Sequence, residues 1–143
     1  MVDHSLMPEL ALVPAWTALF LGVFALFAGI GELRKPGHWE RMLGEIAGSP
    51  ALQLITALLE LFLGAVVYLA NPWASPDWLS SALSVLGGLM CVEALAILAF
   101  SDVYMAFWLR RFGPLSKLWT WASILFGVAL IAVAIEHFSR SSL

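Results

Sequence analysis

The stretch LALVPAWTALFLGVFALFAGIG, residues 10–31, contains no Asp, Glu, Lys or Arg. About 20 apolar helical residues span the hydrocarbon core of a bilayer, so this run is long enough to cross a membrane. Residues 118–135 form a second uncharged run, and two further apolar stretches between them each contain one glutamate. The sequence therefore predicts an all-α membrane protein, a single domain forming a four-transmembrane-helix bundle with spans at about 11–33, 51–70, 79–100 and 116–136.

The composition supports a lipid environment. The 143 residues are 62% hydrophobic and 12% charged, whereas ordinary soluble domains are roughly 25% charged. Asp3 and Glu9 precede the first span without any basic residue, which argues against a cleaved signal peptide. The formal net charge of −3 leaves no basic surface for nucleic acid, so we expect the bilayer and other membrane proteins as partners.

The basic residues predict the orientation. Six of the seven lie in the two loops that follow the first and third spans: Arg34, Lys35, Arg41, Arg110, Arg111 and Lys117. The positive-inside rule makes these loops cytoplasmic and puts both termini outside. Within the first loop, Trp39, Met42, Leu43 and Ile46 recur at helical spacing, which predicts a short amphipathic helix in the membrane interface over residues 36–50. Residues 102–114 resemble a second such helix, with aromatic anchors.

The two halves of the chain are weakly similar. At an offset of 65, Gly22 aligns with Gly87 and Trp39 with Tyr104, and the offset later slips to 64. Each half would then be a helix, an interfacial segment and a second helix, related as a parallel repeat. Chance similarity between two apolar hairpins is the alternative. Under the repeat, Glu60 aligns with Leu125 and Glu93 with Ala28.

Each predicted span carries one stripe of small or polar residues. Such residues allow close approach of membrane helices, so we expect the stripes to face inward in a tight bundle. The stripes are Ala18, Gly22, Ala25, Gly29 and Glu32; Gln53, Thr56, Glu60 and Gly64; Ser80, Ser84, Gly87 and Cys91; and Ser116, Thr120, Ser123 and Gly127.

Two glutamates within the spans are the main functional candidates, because intramembrane acids are costly and often functional. Glu60 lies on the inward stripe, and with Thr56, Gln53 and Glu32 it is a candidate coupling or pocket group. Glu93 lies on a face of large apolar residues and is a candidate partner contact. We predict that Glu60 is hydrogen-bonded inside the bundle, that Glu93 is on the outer surface, and that the two do not touch. The structural alternative is that each is a neutral hydrogen-bonding group between helices.

Other chemistry has little support in the sequence. His4, His38 and His137 fall outside the predicted spans, so they do not form a pair of intramembrane haem ligands. The chain has no Cys/His cluster with zinc spacing and no serine with a histidine at matching depth. We therefore expect no catalytic residues, no metal and no cofactor.

The first half resembles a known family. The segment LFAGIGELRKPGHWERMLGEIAGSPALQLITALLELFLGAVVYL has a glycine-rich first helix, a proline-led interfacial segment, the turn Gly48–Pro50, and a second helix with a central glutamate before a glycine. It is similar to the DoxX-like superfamily of four-helix bacterial membrane proteins. Residues Pro36, Trp39 and Met42 also resemble the YjeT-like family of small inner-membrane proteins, which is the rival. Both resemblances imply a bacterial inner-membrane protein, and DoxX-like members accompany membrane redox systems.

Two functions are predicted. The first is a non-enzymatic accessory subunit of a larger bacterial inner-membrane complex of respiratory or redox type, which would contact that complex through Glu93. The alternative is a small dimeric transporter, coupled to protons or cations, that uses Glu60 as its intramembrane carboxylate.

Overall fold

The computed structural model describes residues 12–141, in which the regular structure consists of six helices. They are α1 (Val13–Arg34), α2 (His38–Ala47), α3 (Pro50–Ala70), α4 (Trp78–Ala99), α5 (Ser101–Phe112) and α6 (Ser116–Ser141). Helices α1, α3, α4 and α6 are long and apolar enough to cross a membrane, which confirms the predicted four-helix membrane fold. The predicted interfacial segments are the short helices α2 and α5.

The last span was predicted to end near residue 136, and the helix α6 continues beyond that residue to Ser141. His137, predicted to lie beyond the span, is therefore a helical residue, and its Nε2 lies 3.1 Å from Asp77 Oδ1. His4 lies outside the described residues.

Local sequence signals set where the helices begin. Ser49 caps α3 by accepting a hydrogen bond from the backbone N–H of Leu52, and Pro50 occupies the first helical position. Asp77 caps α4 in the same way through Leu79. Gly37 precedes α2 with φ of 87°, a backbone conformation that favours glycine, and this residue allows the chain to leave α1 and enter α2.

The four long helices form two close pairs, α1 with α6 and α3 with α4. Glycines allow the close approach in both. A Cβ built on Gly87 would lie 2.6 Å from Tyr68 N and 2.7 Å from Gly64 O. A Cβ on Gly127 would lie 2.6 Å from Gly22 O. The backbones are thus in direct contact, as predicted from the small-residue stripes.

This pairing has the pattern expected of the predicted repeat. The order long helix, short helix, long helix occurs twice, and α2 contacts α5. Gly22 and Gly87, which align at an offset of 65, each form one side of a glycine contact. A two-fold relation between the halves, with its axis between the two pairs, accounts for both glycine contacts.

The end of the bundle that carries residues 71–77 is closed by contacts between the pairs. Ala18, Val67, Leu79, Leu83 and Ala134 form an apolar cluster there, with members from all four long helices. Polar bonds also join the pairs, because Asn71 Nδ2 lies 3.4 Å from Thr17 Oγ1 and His137 reaches Asp77. We call this the closed end, and the opposite end, which carries α2 and α5, the basic end.

Candidate functional site

The space between the two helix pairs opens into cavities toward the basic end. A second apolar cluster there joins α3, α4 and α5 through Ala57, Ile97 and Met105, but takes no buried residue from α1 or α6. A cavity of about 570 Å³ lies between the pairs, lined by Phe24 and Ala28 of α1, Ser123 of α6 and Glu93 of α4. The basic end is therefore less tightly filled than the closed end.

Glu60 and Glu93 come together in this region. Both line a cavity of about 310 Å³, where the two carboxyl groups lie close enough to influence each other electrostatically. We call these two residues the acid pair. The prediction that they do not touch is wrong. The reason is the contact of Gly64 with Gly87, which brings the backbones of α3 and α4 so close that a glutamate at the edge of the interface reaches its neighbour.

Glu93 is nevertheless an exposed residue. It lines the cavity of about 310 Å³, the cavity of about 570 Å³ between the helix pairs, and an outer cleft of about 670 Å³. The outer cleft is otherwise lined mainly by apolar residues, among them Leu89, Val92 and Phe100. Glu93 is thus the point at which the three spaces meet.

Tyr104 of α5 extends the acid pair. Like Glu93, it lines both the cavity and the outer cleft. Burial, together with the interaction with Glu93, raises the pKa of Tyr104 above its ordinary value. Tyr104 therefore remains protonated at neutral pH and can donate its hydrogen to the carboxylate.

Aromatic rings form one wall of the cavity. Tyr104, Trp108 and Phe112 lie at i, i+4 and i+8 on α5, and Trp119 of α6 packs against them. The ring centroids of Trp108 and Trp119 are 5.5 Å apart, and those of Phe112 and Trp119 are 6.4 Å apart. We call these four residues the aromatic wall. The aromatic residues of α5 were predicted to be interfacial anchors, and their place in the cavity wall was not predicted. Their spacing nevertheless puts three rings on one helix face.

The structure divides the predicted pocket residues into two groups. Thr56 lines the cavity with Glu60. Gln53 instead donates from Nε2 to the carbonyl oxygens of Ile46 and Ala47 at the end of α2. Glu32 accepts hydrogen bonds from the backbone N–H groups of Gly37 and Trp39, each at 2.8 Å, at the start of α2. Glu32 and Gln53 therefore hold the two ends of α2, which forms part of the cavity wall.

Replacing Glu32 with alanine should lower the unfolding midpoint of the protein in mild detergent. Glu32 is only 4% exposed, and the substitution removes both capping bonds of α2, a loss of about 1–2 kcal/mol for a helix cap. Circular dichroism during heating measures the midpoint. Glu45→Ala, on the exposed face of the same helix, is the control, and equal midpoints for the two variants would contradict the capping role.

No family model, curated protein or solved structure matches this chain. The resemblance to the DoxX-like and YjeT-like families therefore stays a prediction.

Proposed function

We propose that this chain is a small multi-pass membrane carrier that exchanges protons through the acid pair. The observation that carries the proposal is that two carboxyl groups line one cavity whose lining is otherwise mostly apolar and aromatic. Two carboxylates that share a cavity repel each other, and binding of a proton or another cation beside them relieves this repulsion.

Access to the pair supports a carrier rather than a packing role. Glu93 is exposed and lines both the inner cavity and the outer cleft, so a ligand can reach the pair from outside the bundle without unfolding it. Tyr104 adds a donor beside Glu93 at the basic end. This arrangement provides a binding group, a neighbouring proton donor and a route to the surface.

The first test is infrared spectroscopy of the protein in lipid. We expect a carbonyl band of a protonated carboxyl group that disappears as the pH is raised and shifts in D₂O. The band should be lost or altered in both Glu60→Gln and Glu93→Gln, because each variant removes one member of the pair. Glu45→Gln, on the exposed face of α2, is the matched control and should leave the band unchanged. A band unaffected by either substitution in the pair would contradict the proposal.

The second test is transport in proteoliposomes that contain a pH-sensitive dye. After a pH gradient is imposed, chloride salts of Na⁺, K⁺, tetramethylammonium and tetraphenylphosphonium are added in turn. A carrier that exchanges protons for cations should dissipate the gradient with at least one of these salts. Glu60→Gln should abolish this response. Equal dissipation by the wild type and Glu60→Gln would contradict the coupling role.

The exposure of Glu93 also favours the accessory-subunit function, because an acid facing the outer cleft is available to a neighbouring protein. In that case purification in mild detergent should yield a stoichiometric membrane partner that is lost in Glu93→Gln. A carrier should instead purify as a single species or a homo-oligomer. The distribution of Lys and Arg supports an orientation with the basic end cytoplasmic and both termini outside. The resemblance to the DoxX-like and YjeT-like families implies a bacterial inner membrane for either assembly.

A further inference from the structure

We propose that the space beside the acid pair binds a lipophilic organic cation, which enters from the lipid through the outer cleft. This inference rests on the proposed proton-exchanging site and names its substrate class. It is carried by three features that occur together: two carboxyl groups that line one cavity, an aromatic wall, and an apolar opening toward the membrane.

The charge and the rings select for a cation. An ionised carboxyl group of the acid pair provides one negative charge, which a monovalent cation neutralises. Cations also bind to the faces of Trp, Tyr and Phe rings, most strongly where water is excluded. Trp108 lines both the inner cavity and the outer cleft, as do Glu93 and Tyr104. The same region already contains one such contact, because the Arg111 guanidinium carbon lies 4.2 Å from the Phe107 ring centroid.

The size and lining of the space select for a lipophilic ligand. The inner cavity is about 310 Å³ and the outer cleft about 670 Å³, which together fall within the range of sites for small organic molecules. Phe100, Val103 and Phe107 line the cleft, and they are 64%, 65% and 40% exposed. A strongly hydrated inorganic ion would lose its water on this route without gaining polar ligands, whereas an organic cation would gain apolar contacts.

One polar group among the residues that line the inner cavity has no hydrogen-bond partner. The indole N–H of Trp119 is buried and makes no hydrogen bond within the described residues. A buried donor without an acceptor is unfavourable, and a ligand that carries an acceptor would satisfy it. The preferred ligand is therefore an organic cation that also carries a hydrogen-bond acceptor such as an ether or carbonyl oxygen.

The probe for the class is tetraphenylphosphonium, and tetraphenylborate, which has the same shape and the opposite charge, is the matched control. In isothermal titration calorimetry of the purified protein, tetraphenylphosphonium should bind saturably and tetraphenylborate should not. Binding should strengthen as the pH is raised and should release a proton, which the dependence of the heat on the buffer reveals. Glu60→Gln and Glu93→Gln should each weaken binding by about tenfold or more.

Trp108→Leu tests the aromatic wall separately, because it leaves both carboxyl groups in place. It should weaken binding by about threefold to tenfold, whereas Trp121→Leu, at an exposed tryptophan outside this cavity, should not. Circular dichroism and size-exclusion chromatography establish that each variant is folded. Equal binding of the phosphonium and the borate, or unchanged affinity in both glutamine variants, would overturn the inference.

The two proposals fail in different ways. If the infrared band behaves as expected but tetraphenylphosphonium does not bind, the acid pair exchanges protons and the substrate class is wrong. If the pH gradient is dissipated only by Na⁺ or K⁺ and not by an organic cation, the acid pair again exchanges protons and the proposed substrate class is wrong. If the band does not depend on the pair, the proposed function is wrong, and the inference is lost with it.

Discussion

Gly87→Ala should sharply destabilise the bundle, while Gly88→Ala, one residue along the same helix, should not. The Cβ of Gly87→Ala would lie 2.6 Å from Tyr68 N and 2.7 Å from Gly64 O. Both are backbone atoms, which cannot move without the helix to which they belong. Helices α3 and α4 must therefore separate, at a cost of about 1–3 kcal/mol for an overpacked contact. A Cβ on Gly88 would meet nothing nearer than the Tyr68 ring, at 3.7 Å.

The measurement is the unfolding midpoint of both variants in the same detergent, followed by circular dichroism. Gly88→Ala should match or exceed the wild type, because alanine is the better helix former by up to about 1 kcal/mol. Gly127→Ala should repeat the effect of Gly87→Ala at the other helix pair, since its Cβ would lie 2.6 Å from Gly22 O and from Leu26 N. Equal midpoints for Gly87→Ala and Gly88→Ala would contradict the close packing of α3 against α4.

Gly87→Ala should also impair the site. The acid pair forms because α3 and α4 are in backbone contact near Gly64, and separation of the helices would move Glu60 away from Glu93. The pH-dependent infrared band should therefore change in this variant even where the protein remains folded. Gly88→Ala should retain the wild-type band, which separates the effect of helix spacing from that of substitution at this depth.

The spans and the inward stripes could be predicted from the sequence because both depend on residue type and helical period alone. Ala18, Gly22, Gly29 and Glu32 of α1 are all buried, as the stripe required. The helix α6 extends past the predicted end of the last span and includes the polar residues Glu136, His137 and Arg140. These residues remain helical, and two of them form an i,i+4 pair, Glu136 with Arg140.

The acid pair could not be predicted in the same way. A helical wheel assigns Glu93 to the face that carries Leu89 and Phe100, but it contains no information on how closely α3 and α4 approach. That distance depends on two glycines meeting across the interface, which is a tertiary feature. The aromatic wall depends similarly on the packing of α6 against α5, which brings Trp119 beside Trp108.

The double variant Glu60→Gln, Glu93→Gln should abolish proton exchange and leave the unfolding midpoint unchanged or higher. The two glycine contacts match Gly22 with Gly87 and Gly64 with Gly127, which puts Ala28 of α1 and Ser123 of α6 at the positions of Glu93 and Glu60. Helices α1 and α6 therefore pair without any carboxyl group at these positions. The fold therefore forms this contact without acids, and the acid pair breaks the two-fold pattern of the molecule.

The stability and the proton exchange of the double variant together distinguish a functional role of the acid pair from a packing role. Glutamine keeps nearly the volume and the hydrogen-bonding capacity of glutamate and removes the cost of a carboxylate charge within the membrane, so stability should not fall. If the carboxyl groups acted only as hydrogen-bonding groups between helices, each would contribute about 0.6 kcal/mol, and glutamine would replace most of it without any loss of transport. A double variant that loses proton exchange at full stability therefore assigns the acid pair to function. One that unfolds as readily as Gly87→Ala assigns it to packing, since the loss of activity would then follow from the loss of the fold.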